Sequence, residues 1–91
     1  MELQRLVRDL HWIEWQLRVF EDRYGVLSRD FHRAMEAGEL SELDDGEEPR
    51  FRDFIEWHGL YKTWLKREQV YRQHLRHQSL LEQLRGLPVA A

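Results

Sequence analysis

Apolar residues near the start of the chain recur at alternating steps of three and four: Leu3, Leu6, Leu10, Ile13, Leu17, Phe20 and Tyr24. That spacing is the seam of an amphipathic helix, predicted over residues 2–24 and stopped by Gly25 in a left-handed conformation. Ser28 offers an N-cap for a short helix over 28–37, packed by Phe31, Ala34 and Met35 and ended by Gly38. An acidic connector follows over 39–49, with room for one turn begun by Ser41. Pro49 suits a first helical turn, where its missing N–H costs nothing. A long helix is predicted over 50–85, closed by Gly86 and Pro88, with a tail at 86–91.

The long helix carries more than one apolar stripe. Phe51, Phe54, Ile55, His58, Tyr61 and Leu65 form one face, expected to pack on the first helix. From residue 70 the apolar and histidine positions become Val70, His74, His77, Leu81 and Leu84, rotated by roughly 140° from that face at about 100° per residue. Heptad drift is only about 20° per heptad, so a different body is expected to cover the later stripe. Lengths agree with this. At 1.5 Å per residue the first helix spans about 34 Å and the third about 54 Å, so the end of the long helix outruns its partner.

A further stripe, Trp12, Trp15 and Val19, lies roughly opposite the leucine seam of the first helix. Trp57, Leu60, Trp64, Tyr71 and Leu75 match it on the long helix. Two readings stand. The short helix and connector cover these tryptophans, or Trp12, Trp15, Val19, Trp57 and Trp64 form a self-association face joining two hairpins into a four-helix bundle. The expected fold class is all-α: an antiparallel hairpin of two long helices with a short helix in the connection, a single domain over 1–91, dimerising into a helical bundle.

Charge adds one feature. The net charge is only −3, but residues 25–49 hold two basic and eight acidic side chains, whereas residues 50–91 hold eight basic and four acidic ones. The middle is acidic and the C-terminal half basic. Without cysteine there is neither a disulfide nor a thiolate metal site. No signal-peptide pattern opens the chain and no apolar run reaches membrane-spanning length, so a cytoplasmic protein without membrane contact is expected.

Candidate chemistry is sparse. His74 and His77, three apart, could serve a metal, but no Glu-x-x-His or second His pair accompanies them, and His11, His32 and His58 are scattered singly. No metal or other cofactor is expected, and His74 and His77 read as interface residues within the later stripe. The basic run Lys62, Lys66, Arg67, Arg72 and Arg76 is spread around its helix and lacks a docking motif, which argues against nucleic acid. Asp44-Asp45-Gly46-Glu47-Glu48 lacks the ligand spacing of a calcium loop. Ser28 and Ser41 look like caps and Ser79 has no patterned base, so no catalytic residue and no enzyme are expected.

Several stretches carry a resemblance: Phe20-Glu21-Asp22-Arg23-Tyr24-Gly25, Ser28 with Phe31, Ala37-Gly38-Glu39-Leu40, Asp53-Phe54-Ile55-Glu56-Trp57 and Gly59-Leu60-Tyr61-Lys62. Together they resemble small, mostly uncharacterised helical prokaryotic proteins with the pattern F-E-x-x-Y-G…S-x-x-F…G-E-L…D-F-x-E-W-x-x-L-Y. Some of these look like antitoxin partners in toxin–antitoxin gene pairs. The resemblance covers roughly residues 17–65 and leaves out the later stripe, and the Ser41–Arg50 connector is longer than in that group. It implies the helical fold and, at its most specific, an antitoxin role. The expected function is a non-enzymatic protein-binding module that forms a homodimer and captures a protein partner through Val70, His74, His77, Leu81 and Leu84, a helix-in-groove mode. A purely structural homo-oligomer and a nucleic-acid-binding accessory protein are the alternatives.

Overall fold

The computed structural model describes residues 2–43 and 49–86, and within them the chain is helical with no strand. Four helices follow in order: α1 (Glu2–Tyr24), α2 (Ser28–Glu36), α3 (Pro49–His77) and α4 (Leu80–Arg85), with a single 3-10 turn at Ser41–Leu43 before α3. The heart of the acidic connector, 44–48, and the tail over 87–91 lie outside the described residues. Helices α1 and α3 pack against each other and α2 lies across them.

The turns follow from two glycines. Gly25 and Gly38 both sit at φ 71°, a left-handed conformation that a side chain would strain. The Gly25 N–H closes α1 on Glu21 O at 2.7 Å. After α2, the Gly38 N–H bonds Met35 O at 3.2 Å and the Glu39 N–H bonds Ala34 O at 3.0 Å, the paired geometry of a Schellman cap. Leu40 then folds back against the core.

Antiparallel pairing keeps one register along the hairpin. Tyr24 meets Asp53, Glu14 meets Trp64 and Asp9 meets Arg67. The numbers in each pair add up to between 76 and 78, so Leu3 at the start of α1 faces about residue 74. The last turn of α3 therefore lies beyond the start of α1.

The face that α3 turns inward is only partly the expected one, which contributes Phe54 and Tyr61. Phe54 and Trp57 are buried with Ile13, Leu17, Phe20 and Phe31, while Leu60, Tyr61 and Trp64 pack at the edge. Ile55 and Leu65 point to solvent. The true seam is thus rotated by about 90° from the expected face, at about 100° per residue, and it is the tryptophan stripe assigned to self-association that meets α1. Trp57 is a correction: at 1% exposure it is the centre of the monomer and cannot line a dimer face. The reason is area. An indole buries more apolar surface than Ile55 or Leu65, provided that its N–H finds an acceptor.

Two more expectations change. Ser28 is not an N-cap. Leu27 holds that position without a side-chain bond, and Ser28, itself buried, accepts the Trp57 indole N–H on its Oγ at 2.8 Å. The unpaired amide at the start of α2 is capped from α1 instead, the Ser28 N–H donating to Glu21 Oε2 at 2.9 Å. The long helix is not continuous to residue 85. It ends at His77, and Ser79 caps α4 by accepting the Glu82 N–H on its Oγ at 3.1 Å. Ser79-Leu80-Leu81-Glu82 has the Ser-x-x-Glu form of a capping box, which offers the backbone an alternative to continuing the helix.

Aromatic rings surround Trp57. Phe31 stacks on it with centroids 3.8 Å apart and planes 3° apart, and Phe20 and Tyr24 lie parallel to it at 5.7 and 5.8 Å. At the same end, the Tyr24 hydroxyl donates to Asp53 Oδ2 at 2.5 Å and Arg23 Nη1 to the same oxygen at 2.6 Å. The Tyr24 hydrogen bond, then Arg23, hold the Asp53 carboxyl below its ordinary range. Burial, then the bond to Asp53, raise the Tyr24 phenol.

Ser28 and Ser41 look alike in sequence but should respond differently to alanine. Ser28→Ala leaves a buried indole N–H without an acceptor and is expected to cost about 1–3 kcal/mol in denaturant melts. Ser41→Ala, at an exposed position, is expected to stay within about 0.5 kcal/mol. The Asp53 cluster sets the acid limb of stability. A lowered native pKa means the unfolded chain takes up the proton first, so the contribution is complete above the unfolded value of 3.8 and fades as pH falls through the native one. Thermal melts of Tyr24→Phe across that window are expected to show a shallower acid dependence than the wild type; an unchanged slope would contradict the assignment.

Candidate protein-interaction surfaces

Besides Val26 and Leu27 at the elbow and Ile55 and Leu65 on the outer side of α3, two groups of apolar side chains stand exposed among the described residues. On α1, Trp12 and Trp15 are 63% and 59% exposed, with Val19 a turn further along. Spacings of three and four place all three within about 60° of the helix circumference, across from the buried leucines. The two indoles stack on each other with centroids 6.0 Å apart and planes 16° apart. Of the five residues expected at a self-association face, these three share one exposed side. Trp64 lies at the margin of the core, its Nε1 donating to Glu14 Oε2 at 2.9 Å and its ring stacked on Tyr61 at 5.8 Å. Trp57 is inside.

The second surface is at the distal end. Val70 and His77 are exposed on α3 and His74 is half-buried. Val70, Gln73, His74, Arg76 and His77 line a shallow open hollow. Beyond the break, α4 has its polarity reversed relative to a core helix: Gln83 is buried, accepting the Gln78 amide on its Oε1 at 2.9 Å, while Leu80, Leu81 and Leu84 face solvent. The five residues of the expected stripe are therefore divided between two helices, Val70, His74 and His77 on α3 and Leu81 and Leu84 on α4. Leu80 joins them, a residue that the unbroken-helix pattern placed off the stripe.

The basic run is largely engaged within the chain. Lys62 pairs with Glu36 at 3.8 Å, Arg67 with Asp9 at 3.2 Å and Arg72 with Glu68 at 2.8 Å. Cations neutralised by their own neighbours release few counterions to a phosphate backbone.

One cluster went unseen in the sequence. His32 and Glu36, a turn apart on α2, meet His58 of α3, with ligand-capable atoms all within 4.8 Å of one another. The i,i+4 His–Glu pair on a short helix was the available signal, but its partner is 22 residues further along. Among the described residues no helix is long and apolar enough to cross a membrane.

No protein family, curated protein or solved structure matches the chain.

Trp12 and Trp15 offer a direct optical readout of their surface. Iodide is expected to quench their fluorescence in dilute monomer and to spare Trp57, so Trp12→Phe/Trp15→Phe should lose most of the quenchable emission. Loss of quenching as the wild-type concentration rises would report burial between copies.

Proposed function

We propose that this chain is a non-enzymatic, all-α protein-binding module that self-associates through α1 and captures a protein partner with its distal α3–α4 segment. Its most specific version, suggested by the sequence resemblance, is a cytoplasmic antitoxin that neutralises a toxin. The observation that carries the reading is α4, which keeps a glutamine inside and turns three leucines to solvent. Covering an exposed leucine is worth on the order of 1–2 kcal/mol, so a six-residue helix displaying three of them has reason to meet an apolar groove. Leu81 and Leu84 are anchors in this reading, with Val70 and His77 extending the contact onto α3 and half-buried His74 at its edge. Trp12, Trp15 and Val19 form a separate patch, consistent with a homodimer contact, and Trp64 borders it through Glu14.

The two surfaces can be separated by charge insertion. Trp15→Glu is expected to turn the oligomer into a monomer in light scattering while leaving α4 intact. Leu81→Asp is expected to leave the oligomer unchanged and to abolish co-purification of the partner from the native host. If Leu81→Asp instead dissociates the oligomer and no second protein accompanies the wild type, the chain is a structural homo-oligomer and partner capture is wrong. Growth arrest on expressing a neighbouring gene without this one, relieved by restoring it, tests the antitoxin version.

A further inference from the structure

Helix α2 is held at its start by the Ser28–Trp57 bond; near its end it faces α3 through His32, Glu36 and His58. Glu36 Oε1 stands 3.2 Å from His58 Nε2 and 3.9 Å from His32 Nε2, and the two imidazole centroids are 5.2 Å apart. Neither nitrogen of His32 is hydrogen-bonded among the described residues: Nδ1 is sealed from solvent without a partner, and Nε2 is too far from the carboxylate. An orphaned Nδ1 on a half-buried ring, with Nε2 only loosely paired to the Glu36 carboxylate, is unusual unless the ring has a further role.

We propose that His32, Glu36 and His58 form a Zn(II) site that staples α2 to α3. Two imidazoles and one carboxylate are a donor set of borderline softness, suited to zinc and poorly suited to magnesium or calcium, which take oxygen ligands. Zinc bonds of about 2.0–2.2 Å in a tetrahedron put ligand atoms about 3.3 Å apart. The 3.2 Å pair already meets this, and the 3.9 Å pair and the two histidines, within 4.8 Å, close by side-chain rotation. A fourth position is left for water. The i,i+4 placement of His32 and Glu36 sets both on one face of α2, and His58 arrives from the facing side of α3.

Lys62 is the built-in competitor. Its Nζ lies 3.8 Å from the same Glu36 oxygen, and its exposed ammonium must swing away when the metal enters. This gives the site a signature that a nonspecific histidine contact lacks: removing a surface cation strengthens it.

The test is calorimetric titration of ZnCl2 into the full chain near pH 7.5, where histidines bind metal as neutral ligands. One zinc per chain is expected, with a thermal midpoint raised by several degrees in excess zinc and unmoved by MgCl2. His32→Ala and His58→Ala should each weaken binding at least about tenfold, as losing a ligand costs no less than losing the group that orients one. Lys62→Gln should tighten it, while His74→Ala/His77→Ala should leave it unchanged. Circular dichroism of each variant checks that α2 persists, and Lys62→Gln keeps all three ligands should the alanine variants unfold. Absence of saturable binding, or binding that survives His58→Ala and disappears in the His74/His77 variant, overturns the proposal.

Discussion

The indole N–H of Trp57 is buried where water cannot serve it, and a buried donor without an acceptor costs a few kcal/mol. Ser28 supplies the acceptor from the far side of the connection, 29 positions earlier. That one bond dictates much of the architecture. To bring Ser28 over α3, the chain must turn sharply after α1, which the left-handed Gly25 permits. Phe31, one turn on from Ser28, then lands flat against the indole and completes the aromatic core. The short helix is therefore the lid that makes burial of Trp57 affordable; of the tryptophans it was expected to cover, it leaves Trp12 and Trp15 bare.

With Trp57 turned inward, the rest of the apolar surface is apportioned by length. One register runs from Tyr24–Asp53 to Asp9–Arg67, and α1 ends where that register reaches the last turn of α3. Apolar residues inside this overlap on the facing sides are covered. Those behind α1, Trp12 and Trp15, and those of α4, Leu80, Leu81 and Leu84, are not. A small domain rarely leaves two such patches bare, and association is the usual remedy.

Local signals in the chain translated well into structure, while signals that depend on a distant partner did not. The seam of α1, the stops at Gly25 and Gly38 and the start at Pro49 each depend on neighbouring residues, and each is where periodicity and turn chemistry place it. The facing side of α3 is different in kind. Two stripes compete there, and the choice between Ile55–Leu65 and Trp57–Trp64 is made by acceptors, Ser28 and Glu14, which lie on other helices. The break before α4 had a local mark, Ser79 followed by Glu82, outweighed by the apolar spacing running through it. His32 and His58 read as isolated because only docking of α2 on α3 brings them together.

The carboxylate that begins α2 belongs to α1: Glu21 reaches over the turn to the Ser28 amide. Nine residues are too few to hold a helix alone in water, so α2 borrows both its first turn and its packing face from elsewhere. Unwinding the last turn of α1 would withdraw that borrowed acceptor and loosen the whole segment from Glu21 to Gly38 together. The elbow of the hairpin is thus a single cooperative unit, and fraying there opens the aromatic centre from one side.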